Sequence, residues 1–463
     1  MSSLNHCIKF ELDIKDENIV FKDYFYKSIK LQKHKIYEAE LIQPACPFCG
    51  SLALLHNGHL IANIRYPTAN ASLPVIIKLA KQRVKCRDCE RWSMAQSELV
   101  NKYCSISNAS KLKVLSALTE DRSMTSSARE NNVSINTVKR VLGNCSHRFI
   151  DSYEYLPAHL AFDEFKGVDR QLHFICLDGD NHQVVQILRT RYKKTLLKYF
   201  GRFSPQARAN VKTVTMDLNF YYQDIVIACF PNAQIVIDRF HMIQMLTRSF
   251  NSLRVQVMKT FDKRSRQYQL LKSPWKLYLK KFDELEKVHP RYNWHYKDCL
   301  TQAQVVTEGI NTSTTLENSY NLMQSFIQAF ETGNTHELKS LINCQDQIGT
   351  LMHKTLLTFK HNLTAVLNGA ALPYSNGCLE GFNRKIKQIE RTAFGYSNFT
   401  NLLTRIRLEE INIKKKTKQP FNDCLILFIY SLSTGFDKEP HILTDISRTR
   451  KDPLLTKRVF SMQ

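Results

Sequence analysis

A multidomain α+β protein is the prediction, and three observations carry it. Two C-x-x-C pairs lie within the first hundred residues, a run of short helical patterns follows, and after Pro157 the hydrophobic period changes to that of strands. At 463 residues the chain exceeds one simple core, so roughly two to four domains are expected. Lys and Arg number 65 against 42 Asp and Glu, a formal charge of +23. That excess points to a polyanionic partner, because neutralised phosphates release condensed counterions. A membrane partner is not expected. The first residues lack the basic-then-apolar layout of a signal peptide, and the apolar run from Cys424 to Tyr430 is far short of the ~20 residues of a spanning helix. A cytoplasmic protein is expected.

After an N-terminal segment (1–40), residues 41–100 read as a zinc ribbon. Of 13 cysteines, nine are scattered singly and suit small buried positions in a reducing compartment. The other four form Cys46-Pro-Phe-Cys49-Gly and Cys86-Arg-Asp-Cys89, which offer four thiolates at the spacing a tetrahedral structural zinc ion takes. A redox pair explains one C-x-x-C but not two. Between the knuckles the pattern suggests short strands broken at Asn57-Gly58 and Tyr66-Pro67. Basic residues including Arg83, Lys85, Arg87 and Arg91 crowd the second knuckle, where they suit either phosphate contact or a solvated surface.

Residues 105–150 read as a helix-turn-helix. Leu112, Leu115 and Leu118 make one apolar stripe, and Ala128 is small enough for two helices to cross. Asn131-Asn132-Val133 supplies the turn, and Ser134 caps a second helix that turns Val138, Val141 and Leu142 inward. Its other residues, Asn136, Thr137, Lys139 and Arg140, are types that reach bases and phosphates in a major groove. Three-helix clusters of this kind also occur as plain structural units. The basic outward face favours DNA binding.

From 155 to 260, His159-Leu-Ala-Phe-Asp163, Gln171 to Asp178 and His182 to Leu188 read as three antiparallel strands. A helix from about Lys193, a strand ending at Met216-Asp217, a helix from Tyr221 to Phe230 and a strand ending at Asp238 follow. This is the layout of a ribonuclease H-like α/β core, in which strand-end carboxylates gather at the edge where ligands bind. Residues 261–360 look mainly helical, with Trp275, Trp294 and the stretch from Leu316 to Phe330 expected in the core. Residues 361–415 return to the ribonuclease H-like core, and 416–463 form a tail.

One helix in that second part concentrates the chemistry. Ser375 or Asn376 can cap it, and Leu379, Phe382, Ile386 and Ile389 recur at helical spacing as its buried stripe. Glu380, Asn383, Arg384 and Lys387 share another face. Taken alone, a Glu/Arg ion pair explains that face. Beside Asp163 and Asp217, Glu380 becomes the third carboxylate of a site suited to two divalent cations in phosphoryl transfer, and magnesium or manganese prefers such oxygen ligands. Between Asn181 and Met216 stand eight Lys or Arg and no acid, and from Gly381 to Lys418 ten basic residues against three acidic ones. Positive flanks around an acidic cluster suit a DNA-cleaving site.

Cys46-Pro-x-Cys-Gly, Asp163-Glu-Phe, Met216-Asp217, Phe230-Pro-Asn-Ala, Asp238-Arg-Phe-His241, Glu380-Gly-x-Asn-x-x-Ile-Lys and Ala393-Phe-Gly-Tyr together carry a resemblance. The chain resembles bacterial insertion-sequence transposases of the ISL3 type, which are DDE transposases, over nearly its full length. The resemblance implies that Asp163, Asp217 and Glu380 form a catalytic triad binding two Mg2+ (or Mn2+) ions, with Asp238 and His241 as an auxiliary motif. It implies binding of terminal inverted repeats in double-stranded DNA through the zinc ribbon and helix-turn-helix, hydrolytic cleavage of the element ends, and joining of the 3′-hydroxyls to target DNA. Asn383, Arg384 and Lys387 would grip the strand whose phosphate reacts. The resemblance also implies that 261–360 is a helical insertion interrupting the core. A homo-oligomer, at least a dimer on DNA, and a nucleoid-associated cytoplasmic location follow from the same resemblance. Two other readings are a ribonuclease H-like structure-selective nuclease and a domesticated, non-catalytic DNA-binding regulator.

Overall fold

The structure, a computed structural model, describes residues 3–68, 72–146, 149, 152–344 and 347–417, with 411–417 described through their backbone. From residue 418 onward the expected tail, with its Cys424–Tyr430 run, lies outside the described residues. The chain divides into two compact units: Met1–Phe149 with Thr392–Gly395 and Thr400–Gln463, and Ile150–Arg391 with Tyr396–Phe399.

In the first unit, α1 (Ser3–Glu11) lays Ile8 on a sheet built from β1 (Ile19–Ile29), β2 (Gln32–Leu41), β3 (Leu54–Tyr66), β4 (Val75–Cys86) and β5 (Trp92–Met94). The strand order is β1-β2-β4-β3, with β5 also paired to β4, and only β2 and β4 run parallel. Residues before 41 therefore belong to the same sheet as the cysteine knuckles. Lys30 and Leu31, at φ 49° and 65°, turn the β1–β2 hairpin in two residues, the left-handed pair that matches the twist of paired strands. The strands between the knuckles are 13 and 12 residues long, not short. Asn57-Gly58 does not end β3; the register shifts between His56 and His59 while Gly58 takes φ +74°, a bulge that glycine absorbs without breaking the ladder.

Three helices follow: α2 (Asn108–Leu118), α3 (Met124–Glu130) and α4 (Ile135–Ser146). Ser107, Ser123 and Ser134 accept hydrogen bonds from the backbone N–H groups of Ser110, Ser126 and Thr137 and cap them. Val114, Leu115, Leu118, Ala128, Val138 and Leu142 are buried.

The second unit holds a five-stranded mixed sheet, β6 (His159–Lys166), β7 (Leu172–Asp178), β8 (Val184–Leu188), β9 (Thr213–Met216) and β10 (Gln234–Ile237), in the order β10-β9-β6-β7-β8. The β6-β7-β8 pairs are antiparallel, whereas β9 and β10 run parallel to β6 and to each other. Between β8 and β9 lie α5 (Lys193–Phe200) and α6 (Pro205–Ala209); α7 (Phe220–Cys229) links β9 to β10. Next come α8 (Arg239–Thr260), α9 (Arg266–Lys272), the small hairpin β11 (Arg291–Asn293) and β12 (Asp298–Leu300), then α10 (Gln302–Ile310), α11 (Thr314–Thr332), α12 (Thr335–Ile342), α13 (Thr350–His361) and α14 (Leu363–Ala371). One hydrophobic cluster runs from Phe162, Phe174 and Met216 in the sheet through Phe250 to Phe326 and Phe359 in the helices. The expected insertion thus shares its core with the sheet. Leu316, Met323, Phe326 and Phe330 are buried as expected, but Trp294 is 82% exposed and Trp275 40%. Trp294 sits beside the β11–β12 hairpin, which is too short to cover an indole. Helix α14 lies directly on β10: a Cβ on Gly369 would strike the Ile237 carbonyl, and the Asn368 side chain donates to Ile235 O at 2.9 Å.

α15 (Gly377–Thr392) buries Leu379, Ile386 and Ile389. The last helix, α16 (Phe399–Thr417), groups from Thr400 with the first unit, although 361–415 reads in sequence as one stretch of the core. Arg405 explains this. Only 1% exposed, its guanidinium pairs with Glu409 at 2.8 Å and donates to the Glu120 carbonyl, so the buried charge is held by partners within that unit, while Nη1 has no hydrogen-bond partner among the described residues.

Candidate active site

Strand register aligns the acids. β6 pairs with β9 up to Ala161↔Thr215, and β10 with β9 up to Ile237↔Met216. Continuing that register, Asp163, Asp217 and Asp238 stand level on three neighbouring parallel strands. Asp217 and Asp238 directly follow β9 and β10, whereas Asp163, read in sequence as a strand end, lies within β6, which continues to Lys166. Asp238 is buried, caps α8 through the His241 N–H and accepts from the Asn376 N–H at 3.0 Å. His241 Nδ1 lies 2.8 Å from Asp217 Oδ1 and 3.0 Å from Asp238 Oδ2. Hydrogen bonding to these two carboxylates raises the imidazole pKa to about 10, so His241 is an imidazolium at neutral pH. Burial pushes the Asp238 carboxyl up, but the bonds from His241 and Asn376 outweigh it and hold the pKa below its ordinary value. Asp163 goes the other way. Burial, with the nearby Asp217 charge adding to it, raises its pKa to about 6 against the hydrogen bond from the Glu164 N–H.

Helix α15 closes on this row through two amides. Asn383 Nδ2 donates to Asp163 Oδ2 at 2.8 Å. Asn376, 5% exposed, directs Nδ2 toward Phe162 O at 3.3 Å and Asp217 Oδ1 at 3.5 Å. One residue thereby joins β6 to the ends of β9 and β10. The Oδ1 atoms of both asparagines are buried and have no hydrogen-bond partner among the described residues. Glu380 lies one turn before Asn383, is exposed, and gives Oε1 to Arg384 Nη2 at 2.6 Å. Asp217, Asp238 and His241 offer ligand atoms within 4.8 Å of one another, a group that includes neither Asp163 nor Glu380 of the expected triad. Glu164, next to Asp163, is taken up by Arg191 at 2.9 Å and by the Tyr222 hydroxyl at 2.7 Å.

The DNA-contact candidates divide. Asn136, Lys139 and Arg140 are exposed on α4, but Thr137 is buried, its Oγ1 3.0 Å from the Ser134 hydroxyl, because it falls on the inward side of the first turn. Arg384 and Lys387 are exposed on α15, whereas Asn383 is turned to Asp163. Ser375 Oγ accepts from the Gly377 N–H at 3.4 Å, which leaves Asn376 free for the site. No periodicity or spacing singles out Asn376 for the site; in sequence it reads only as an alternative cap to Ser375.

The four knuckle cysteines converge in the first unit. Cys46 Sγ faces Cys89 Sγ at 3.6 Å and Cys49 Sγ faces Cys86 Sγ at 3.5 Å, all four within 4.8 Å of one another. A donor set of four thiolates fits a tetrahedral structural zinc ion. The aspartate oxygens fit a hard divalent cation instead.

Residues 160–406, more than half of the chain and including every acid of the row and Glu380, match the transposase family of ISL3 type. The chain belongs to that family. Over 256 residues it is 23% identical to the transposase for insertion sequence element IS1001 of Bordetella parapertussis, covering 54% of this chain and 60% of that one. A shorter stretch of 113 residues is 29% identical to a Lactococcus lactis subsp. lactis protein called an ATP-dependent protease, covering 24% of this chain and 36% of that protein. The chain therefore spans less than two thirds of either relative. Membership of a DDE transposase family implies divalent metal use, which agrees with the oxygen-rich row at the sheet edge. No described helix is long and apolar enough to cross a membrane.

Proposed function

We propose that this transposase binds the terminal inverted repeats of its element, cleaves the ends by metal-assisted phosphodiester hydrolysis and joins the freed 3′-hydroxyls to target DNA. The single observation that carries the reading is the Asn383–Asp163 hydrogen bond at 2.8 Å. It brings α15, the helix that bears Glu380, against Asp163 of the mixed sheet, which is in keeping with the ribonuclease H-like layout expected from the sequence. In this reading Asp163, Asp217 and Glu380 hold two divalent cations, Mg2+ or Mn2+. When bound, these activate the attacking oxygen and stabilise the leaving one. The chain's own residues do the rest. His241 holds Asp217 and Asp238 in place as their counter-charge, the asparagines orient carboxylates without neutralising them, and Arg384 and Lys387 hold phosphates. The zinc ribbon and the α2–α4 helix-turn-helix, through Asn136, Lys139 and Arg140, bind the repeats. A dimer on DNA, in the cytoplasm, pairs the two ends.

The test is strand cleavage and joining with a donor plasmid bearing the element ends, in Mg2+. Asp163→Ala, Asp217→Ala and Glu380→Ala should each lower joining by about a thousandfold or more, with end binding retained. Normal joining by any of them would sink the triad. Cleavage without joining by the unaltered protein would favour the structure-selective nuclease, and binding without cleavage the non-catalytic regulator.

A further inference from the structure

The β1–β2 hairpin leaves the core halfway along its length. Ile19, Phe21, Tyr37, Ala39 and Leu41 are buried at its root, whereas Lys22 through Ser28 are all exposed. The register shifts between Phe21 and Asp23, and such a bulge redirects a strand pair away from its sheet. What projects beyond the β2–β4 pairing, which begins at Lys35, is a two-stranded ribbon from Tyr26 to Lys35 ending in the tight Lys30-Leu31 turn, with Leu31 fully exposed. The ribbon displays Tyr26 at its base and Leu31 at its tip, and Tyr24 and Phe25 are exposed on the strand leading to it, an apolar display on a surface element.

The charge on this ribbon says what would cover it. Residues 22–35 contain five lysines and one acid. Asp23 accepts from the Tyr24 N–H at 2.7 Å. At the root, Lys22 pairs with Glu40 at 2.7 Å and Lys35 with Glu11 at 2.8 Å. Toward the tip, Lys27, Lys30 and Lys33 make no ion pair among the described residues, and Lys33 Nζ sits 4.6 Å from the Tyr26 ring centroid. The free cations thus lie on both strands and in the turn, interleaved with aromatic rings.

We propose that this hairpin is a DNA-binding arm that enters the major groove of duplex DNA. The groove is wide enough for a two-stranded ribbon, and lysines on both strands face the two phosphate walls. Tyrosines and Leu31 offer apolar contact to base edges. The arm adds a third contact to those of the ribbon and α4, and it rests on the reading of the chain as a DNA-binding transposase.

The experiment uses the full-length, zinc-loaded protein and a labelled duplex of mixed sequence, with affinity measured across a series of salt concentrations. The variant Lys27→Ser/Lys30→Ser/Lys33→Ser should reduce the salt slope by about three, roughly one per lysine. Lys139→Ser/Arg140→Ser on α4 should reduce it independently, so the two losses add. Unchanged zinc content and circular dichroism show that the surface variant is folded. A hairpin variant with the unaltered slope, where the unaltered protein binds, overturns the arm and leaves the DNA reading standing. An unaltered slope together with lost self-association on sedimentation assigns the hairpin instead to a second copy of the chain. Absence of duplex binding by the unaltered protein overturns both readings.

Discussion

The cysteine knuckles and the aspartate row are both ligand sets held on a sheet, yet they are built on opposite principles. Each Sγ of the knuckles faces another Sγ, at 3.5 or 3.6 Å, and the set is complete in itself. The carboxylates of the row are held by other side chains and backbone: Asp163 by Asn383, Asp217 by His241, and Asp238 by the same His241 and the Asn376 backbone. Identical soft ligands around one ion need only the ion. Level carboxylates repel and raise one another's pKa, so something must orient them. Here most of the orienting groups are amides, which fix direction while leaving negative charge available to a hard cation. One site is closed and self-sufficient; the other is open and depends on residues that are not ligands.

The largest effect should come from breaking the closed set. Cys46→Ser, or a strong chelator, should release zinc and destabilise the sheet of the first unit by several kcal/mol, since metal binding there is folding free energy. Metal analysis and thermal melting read this directly, with Trp92, three residues beyond Cys89, as a local fluorescence reporter. Unchanged zinc content would remove the ribbon from the comparison. The open set should tolerate metal removal far better, because His241 already supplies its counter-charge.

Next in size is Asn376. Its Nδ2 serves Phe162 O and Asp217, and its side chain is buried. Asn376→Ala should cost about 3 kcal/mol through unsatisfied buried groups and lower joining as well. Asn376→Asp is sharper: it replaces a donor by an acceptor facing Asp217, so it should destabilise the metal-free protein more than alanine does and regain part of that loss in Mn2+. Equal melting temperatures for the two variants, with and without Mn2+, would show that Asn376 is filler.

Legibility follows the same division. Cysteine spacing is a local code, so the ligand set could be read from residues 46–89 alone. The strand sequence from His159 to Asp238 also carried its pattern openly, because β9 and β10 each run directly into an acid, although β6 continues past Asp163 to Lys166. Thr137 was misread because helical spacing gives a face but not what that face meets, and it turned inward; for the same reason the spacing did not show that Asn383 meets a carboxylate. Asn376 was legible only as a possible cap, since a residue that ties three strands together by tertiary contacts leaves no periodic trace. The N-terminal hairpin's membership of the knuckle sheet depends on the long-range β2–β4 pairing, which is equally invisible locally.

A smaller effect separates orientation from DNA contact at Asn383. If it positions Asp163, Asn383→Leu should lose about 1–2 kcal/mol of stability, because a carboxylate loses its donor, and joining should fall while duplex affinity holds. If it grips DNA, the pattern reverses, with stability intact and affinity lowered. Melting and binding measured on the same preparation distinguish the two.

The smallest expected change lies at Arg384, and it bears most directly on how open the acid site is. Glu380 is the one proposed ligand outside the sheet's hydrogen-bonded row, and its oxygen is occupied by Arg384 on its own helix. Both side chains are largely exposed, so the pair should contribute no more than about 0.5 kcal/mol to stability. Arg384→Ala should therefore leave melting almost unchanged while freeing Glu380. Mn2+ affinity, measured calorimetrically without DNA, should then rise a few-fold, and duplex affinity should fall slightly from the lost cation. If Mn2+ affinity does not move in Arg384→Ala, and Glu380→Ala leaves it equally unmoved, then Glu380 is not part of the cation site in the free protein. Its recruitment would then have to come with DNA, whose phosphates would compete for Arg384 and release the carboxylate.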